Sequence, residues 1–152
     1  MTLNGLPDVH VVGAPLGTVD GVTVAIVTAE VWYDHLAIRI APVVDRPLES
    51  ALSTWSREVA ERRAQTHLQQ RDEPPPHPVE SILQRVLVDV TDSEGNLYRR
   101  ISGLVGGTDT ELRAEWHYHP VPGRTVRTLI VSARGVDDPR PTIIELNMAT
   151  LD

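Results

Sequence analysis

Arg85–Val105, RVLVDVTDSEGNLYRRISGLV, is the stretch whose reading decides the fold. Val86, Val88 and Val90 fall on alternate positions, Asp92–Asn96 interrupts them, and Leu97–Leu104 resumes in extended style. Period-two apolar spacing on both sides of a short Asp/Gly/Asn cluster reads as a β-hairpin. Gly95 or Asn96 can supply the positive φ that a tight loop needs. Two arms cannot bury a face alone, so the rest of the chain must supply partner strands.

Working outward, Val9–Val12 reads as a short first strand and Ala14–Gly17 as a turn. Gly21–Tyr33 is apolar on both alternating faces, as in a strand covered on each side. Asp34-His35 punctuates it, and Leu36, Ile38 and Ile40 alternate beyond, with Arg39 marking the wet side. Past the central hairpin, Leu112, Ala114, Trp116 and Tyr118 share one side of a strand; Arg113, Glu115, His117 and His119 share the other. Two further short strands centre on Val131 and Leu146. Seven or eight strands with regular turn signals favour an antiparallel sandwich over a parallel sheet.

Between Pro47 and Val59 the period changes to that of a helix, through Leu48, Ala51, Leu52, Trp55 and Val59. The helix is expected to end near Arg71, ahead of the stiff connector Glu73–Pro78. Residues 47–80 form an insertion too short to own a core. Its later turns carry Arg62, Arg63, Thr66, Gln70 and Arg71 where an apolar stripe would continue, which marks them as a candidate contact surface. Trp55 suits a core anchor beside Leu52 and Val59, and Trp32 and Trp116 are core candidates too.

The 152 residues fit one domain, 1–152, large enough to bury a core without staples. Phe and Cys are absent, so the core rests on aliphatic side chains and three Trp. Lacking Cys, the chain has no disulfide, thiolate zinc site or Cys nucleophile. All 14 basic residues are Arg, which excludes Schiff-base and Walker-lysine chemistry. A net charge of −7 opposes binding to nucleic acid or anionic membrane. The start, MTLNGLPDVHVVG, has neither a basic opening nor an apolar run of signal-peptide length. The expectation is therefore a cytoplasmic protein.

Three patterns suggest chemistry. His117 and His119 project to one side of a strand, with Glu115 beside them and His35 available from a turn; this set suits metal ligands or merely solvated side chains. Asp92, Glu94 and Asn96 place oxygen donors at every second residue around Gly95, but the bidentate Glu of a calcium loop is missing and turn chemistry accounts for them equally. No G-x-S-x-G occurs, and Ser53, Ser56 and Ser81 sit in helix or linker with no base placed beside them by the sequence.

The run Val88–Tyr98 with its D-x-x-G-x-x-Y turn, the pair Gly106-Gly107, and Glu115–Pro120 together resemble an uncharacterised domain class. It is the immunoglobulin-like sandwich of actinobacterial hypothetical proteins, similar to that of Gram-positive anti-sigma-factor ectodomains. The resemblance covers the chain from Gly21 onward, outside 47–80, and brings no catalytic residues. Without an anti-sigma helix or membrane span, the anti-sigma role is not carried over. The expectation is an all-β, immunoglobulin-like antiparallel sandwich with one inserted helix at 47–71. Its expected role is non-catalytic: an interaction or structural accessory domain without a cofactor, binding a protein partner or another copy of itself. The alternative is a metal-binding protein or metal-dependent enzyme using His117 and His119.

Overall fold

The computed structural model describes residues 5–65, 75–107 and 112–146. Eight strands alternate with turns and two helices: β1 (Asp8–Val19), β2 (Val22–Val31), β3 (Leu36–Pro42), α1 (Arg46–Gln65), α2 (Pro78–Arg85), β4 (Leu87–Asp92), β5 (Leu97–Gly106), β6 (Arg113–His119), β7 (Thr128–Arg134) and β8 (Thr142–Glu145). They form one antiparallel order, β1-β2-β3-β6-β5-β4-β7-β8, so the fold is all-β as expected.

The central hairpin exists, and it serves as a corner. β4 meets β5 only at Val90↔Tyr98 and Thr91↔Leu97. Beyond those rungs the arms part: β5 follows β6 from Arg99 to Gly106, while β4 pairs along its whole length with β7. The sheet thus bends between its five-strand and three-strand parts. At the far ends, Thr18 and Asp137 exchange two backbone hydrogen bonds of 2.9 and 2.7 Å, and the Arg140 N–H donates to the Leu16 carbonyl at 2.9 Å. The curl is nearly a barrel.

Alternation sends Val24 and Ile26 of β2, Ile38 and Ile40 of β3, Trp116 and Tyr118 of β6, and Leu129 and Val131 of β7 into a common interior. Removing such aliphatic surface from water drives the curl, at about 25 cal/mol per Å². The Tyr118 hydroxyl donates to the Val88 carbonyl at 2.7 Å, joining the two parts of the sheet across the core. Burial raises the Tyr118 pKa, so the phenol stays protonated and keeps donating.

Several local expectations are corrected. Ala14–Gly17 is strand rather than turn: β1 crosses it with register shifts at Val11/Ala14 and Pro15/Gly17. An outer strand tolerates Pro, and irregularities of this kind absorb the extra residues. The turn lies instead at Asp20-Gly21, both at positive φ (50° and 79°). That is the backbone a two-residue hairpin loop requires.

One expected helix becomes two. α1 is described to Gln65; residues 66–71 of the expected helix lie outside the described residues. α2 follows the connector, with the His77 ring accepting from the Val79 N–H at 3.2 Å and Pro78 opening the first turn. Its Val79, Ile82 and Leu83 are buried in the main core, so the chain from the end of the expected insertion into β4 helps to build the interior. Trp32 and Trp55 are only half-buried, whereas Trp116 is a core residue as expected.

Candidate functional site

The outer face of the five-strand part carries the densest polar organisation among the described residues. Register places Val9, Glu30, Ala37, His117 and Ser102 in one row across β1, β2, β3, β6 and β5. The next row is Val11, Thr28, Arg39, Glu115 and Leu104. Two irregularities create this face. Val22, Val24 and Ile26 point inward, but Val27 drops out of the β2–β3 register, so Ala29 and Val31 become the inward residues and Thr28 and Glu30 turn outward. In β5, Ile101 drops out of the ladder with β6, which brings Ser102 opposite His117.

The row members bond to one another. The His117 Nε2 lies 2.7 Å from Glu115 Oε1, and its Nδ1 lies 3.0 Å from the Ser102 Oγ. Glu115 is an acceptor when ionised, so Nε2 carries the proton; in the neutral ring Nδ1 then accepts from the Ser102 hydroxyl. The Arg39 Nε stands between two carboxylates, 3.1 Å from Glu115 Oε2 and 3.2 Å from Glu30 Oε1. It makes a well-aligned hydrogen bond to neither, so these contacts are chiefly ionic. Glu30, the most enclosed acid of the face with its side chain 8% exposed, also accepts from the Trp32 indole N–H at 3.2 Å. One guanidinium between two carboxylates answers the cost of enclosing them.

Rings extend the network. Trp32 stacks on His35 with centroids 5.6 Å apart, and His35 leans on His117 at 4.6 Å. The His35 Nδ1 lies 2.6 Å from Asp34 Oδ1, and that hydrogen bond holds the Asp34 carboxyl below its usual pKa. Ala37, flanked in register by Glu30 and His117, is fully buried, and its lone methyl leaves room for the larger side chains beside it. At the margins Val9, Val11 and Leu104 remain exposed.

Of the expected metal candidates, Glu115, His117 and His35 come together here, while His119 is exposed at the end of β6, opposite Arg99. No group of three or more His, Asp or Glu among the described residues is arranged to hold a metal ion. Both nitrogens of His117 are engaged by Glu115 and Ser102. Sequence reading missed Ser102, Glu30 and Trp32. Their signal was hidden because strict alternation assigns Glu30 and Ser102 to the wrong faces unless both irregularities are known.

The oxygen-rich turn is a different object. Asp92 is buried and accepts from the Tyr98 hydroxyl (2.7 Å), the Asn96 side-chain amide (3.0 Å) and the N–H groups of Glu94 (2.9 Å) and Asn96 (3.0 Å). Burial pushes its pKa up, but these donors outweigh burial and hold it below the ordinary value. Four donors from the turn and the start of β5 satisfy the carboxylate.

On the helical side, the Trp55 indole donates to the Pro75 carbonyl at 2.9 Å and its ring meets His77 edge-on, pinning α1 to the Pro-rich segment. A groove of about 450 Å³ lies alongside, lined by Pro47, Ala51, Trp55, Glu58, Pro76 and Pro78 among others. Arg62 and Arg63 are exposed on the last described turns of α1, where both take part in contacts. Thr66, Gln70 and Arg71 lie outside the described residues. No helix among the described residues is long and apolar enough to cross a membrane. Comparison with protein-family models, with curated proteins and with solved structures found no match for this chain.

Proposed function

We propose that this chain is a protein-interaction domain of immunoglobulin-like build, docking through the outer face of β1-β2-β3-β6-β5. The observation that carries the reading is the two-row network of Glu30, Arg39, Glu115, His117 and Ser102, bordered by exposed Val9, Val11 and Leu104. Side chains already held by one another lose little freedom on docking, which lowers the cost of association. Apolar residues at the margins supply area to bury.

Strand order supports the immunoglobulin-like part of the proposal. With β1 set aside, β2-β3-β6-β5 and β4-β7-β8 reproduce the four-plus-three arrangement of a constant-type domain, in the same chain order. The helices then fall between the second and third strands of that scheme. The chain differs in lacking the disulfide between sheets and in carrying its core Trp on β6.

The test places a photo-crosslinking residue at Val11, Leu104 or Arg63 in the full chain, expressed in its native cells. A shared adduct at Val11 and Leu104, lost in Val11→Asp and in Leu104→Arg with the thermal midpoint unchanged, is the expected result. Adducts confined to Arg63 would move the contact surface to the end of α1, and no adduct at any site would remove the reading.

A further inference from the structure

We propose that Ser102 is an acyl-accepting nucleophile, with His117 as its general base and Glu115 as the positioning residue. The class of substrate is a small, unhindered carboxylic ester. This inference goes beyond the docking reading while sharing its contacts among Ser102, His117 and Glu115; labelling of Ser102 tests it, whereas crosslinking at Val11 and Leu104 tests docking.

The chain Ser102 Oγ, His117 Nδ1, His117 Nε2, Glu115 Oε1 has links of 3.0 and 2.7 Å. A nucleophile and base within hydrogen-bond reach, with the base oriented by a third group, is the constellation that activates a serine. Such sites are recognised by geometry and role rather than by position in the sequence. Here the ring is turned relative to the familiar arrangement: Nδ1 faces the hydroxyl and Nε2 the carboxylate.

Two observations separate this from an incidental surface contact. Glu115 divides its oxygens, giving Oε1 to His117 and Oε2 to Arg39, so the carboxylate is fixed from both sides. The Ile101 irregularity places the hydroxyl opposite the ring, and β-bulges commonly re-aim side chains beside active sites. Ser102 is also exposed, so an ester can reach it.

In the reaction, the Ser102 Oγ bonds to the ester carbonyl carbon as its proton passes to His117 Nδ1. The bond from carbon to the leaving oxygen breaks, and the departing alkoxide takes that proton as an alcohol. Water, deprotonated by the same nitrogen, then releases the carboxylic acid and restores the serine. On this open face the neighbouring apolar contact is exposed Leu104, two residues along the strand, an area matched to a small acyl group.

The experiment treats the full chain with p-nitrophenyl acetate and, separately, with a fluorophosphonate probe, followed by peptide mapping. The expected result is a phosphonate on Ser102 and an acetate hydrolysis rate about 100-fold above that of Ser102→Ala. His117→Gln should lose both. Glu115→Gln should slow labelling and displace the pH profile, which a merely structural role would leave in place. Ser53→Ala, on the exposed side of α1, should match wild type. A phosphonate found elsewhere, or wild-type hydrolysis equal to that of Ser102→Ala, overturns the proposal.

Discussion

Asp92 and Glu115 are both carboxylates at the centre of a hydrogen-bond cluster, and they are built in opposite ways. Asp92 is buried, and its donors all come from Glu94 and Asn96 of the adjoining turn and Tyr98 at the start of β5. Glu115 is partly exposed and draws Arg39 from one neighbouring strand and, through His117, Ser102 from the other. The first cluster is local in sequence and fixes the corner at which β4 and β5 part. The second is assembled by strands that must already be paired, so folding cannot depend on it to the same degree. A polar cluster that the fold does not require is the better candidate for function.

The sharpest way to break this contrast is Asp92→Ala. It leaves the buried Tyr98 hydroxyl without its acceptor and gives up the charge-assisted bonds from the exposed Glu94 and Asn96, and a loss of about 3 kcal/mol in urea unfolding is expected. The acid limb of stability should follow the same residue. Because the folded pKa of Asp92 lies below its unfolded value, its contribution is complete above the unfolded value. It is lost as pH falls through the folded value. Asp92→Asn should therefore flatten the decline of the thermal midpoint below about pH 4; an unchanged acid limb would assign it to other carboxylates.

Gly103→Ala probes the strand between the two clusters. An added Cβ would collide with the Trp116 ring and come within 3.2 Å of the Glu115 carbonyl. Such overpacking should cost about 2 kcal/mol by urea unfolding. Tyr118→Phe removes the donor to the Val88 carbonyl and should cost about 1.5 kcal/mol in the same assay. Glu115→Gln should shift stability least, by about 0.5 kcal/mol, because its ion pairs remain partly solvated. If it unfolds the protein as Asp92→Ala does, the two carboxylates are not different in kind.

Much of the fold was legible because strands announce themselves by alternation. Val86–Val90, Leu112–Tyr118 and Leu36–Ile40 each keep one parity, and each faces inward as that parity requires. What parity cannot carry is an inserted residue. Val27 and Ile101 each shift the count, and the candidate site is built on the residues that follow them. The third obstacle was length: α2 has eight residues, too few to show a helical period beside the Pro-rich segment that precedes it. The Asp20-Gly21 turn, by contrast, was written plainly as an Asp-Gly pair between apolar runs and went unread.

The junction of Thr18 with Asp137, helped by the Arg140–Leu16 bond, ties β1 to the connection between β7 and β8 by three backbone hydrogen bonds among the described residues. A seam so short can part while the interior stays shut, since the long rungs of β2 against β3 and β4 against β7 are untouched. Deuterium should then enter at the amides of Thr18, Asp137 and Arg140 well before it reaches those of Ile38 or Val131. The nearly closed sheet is a collar with a clasp, and on the far side of that clasp β1 stays held by its long ladder to β2.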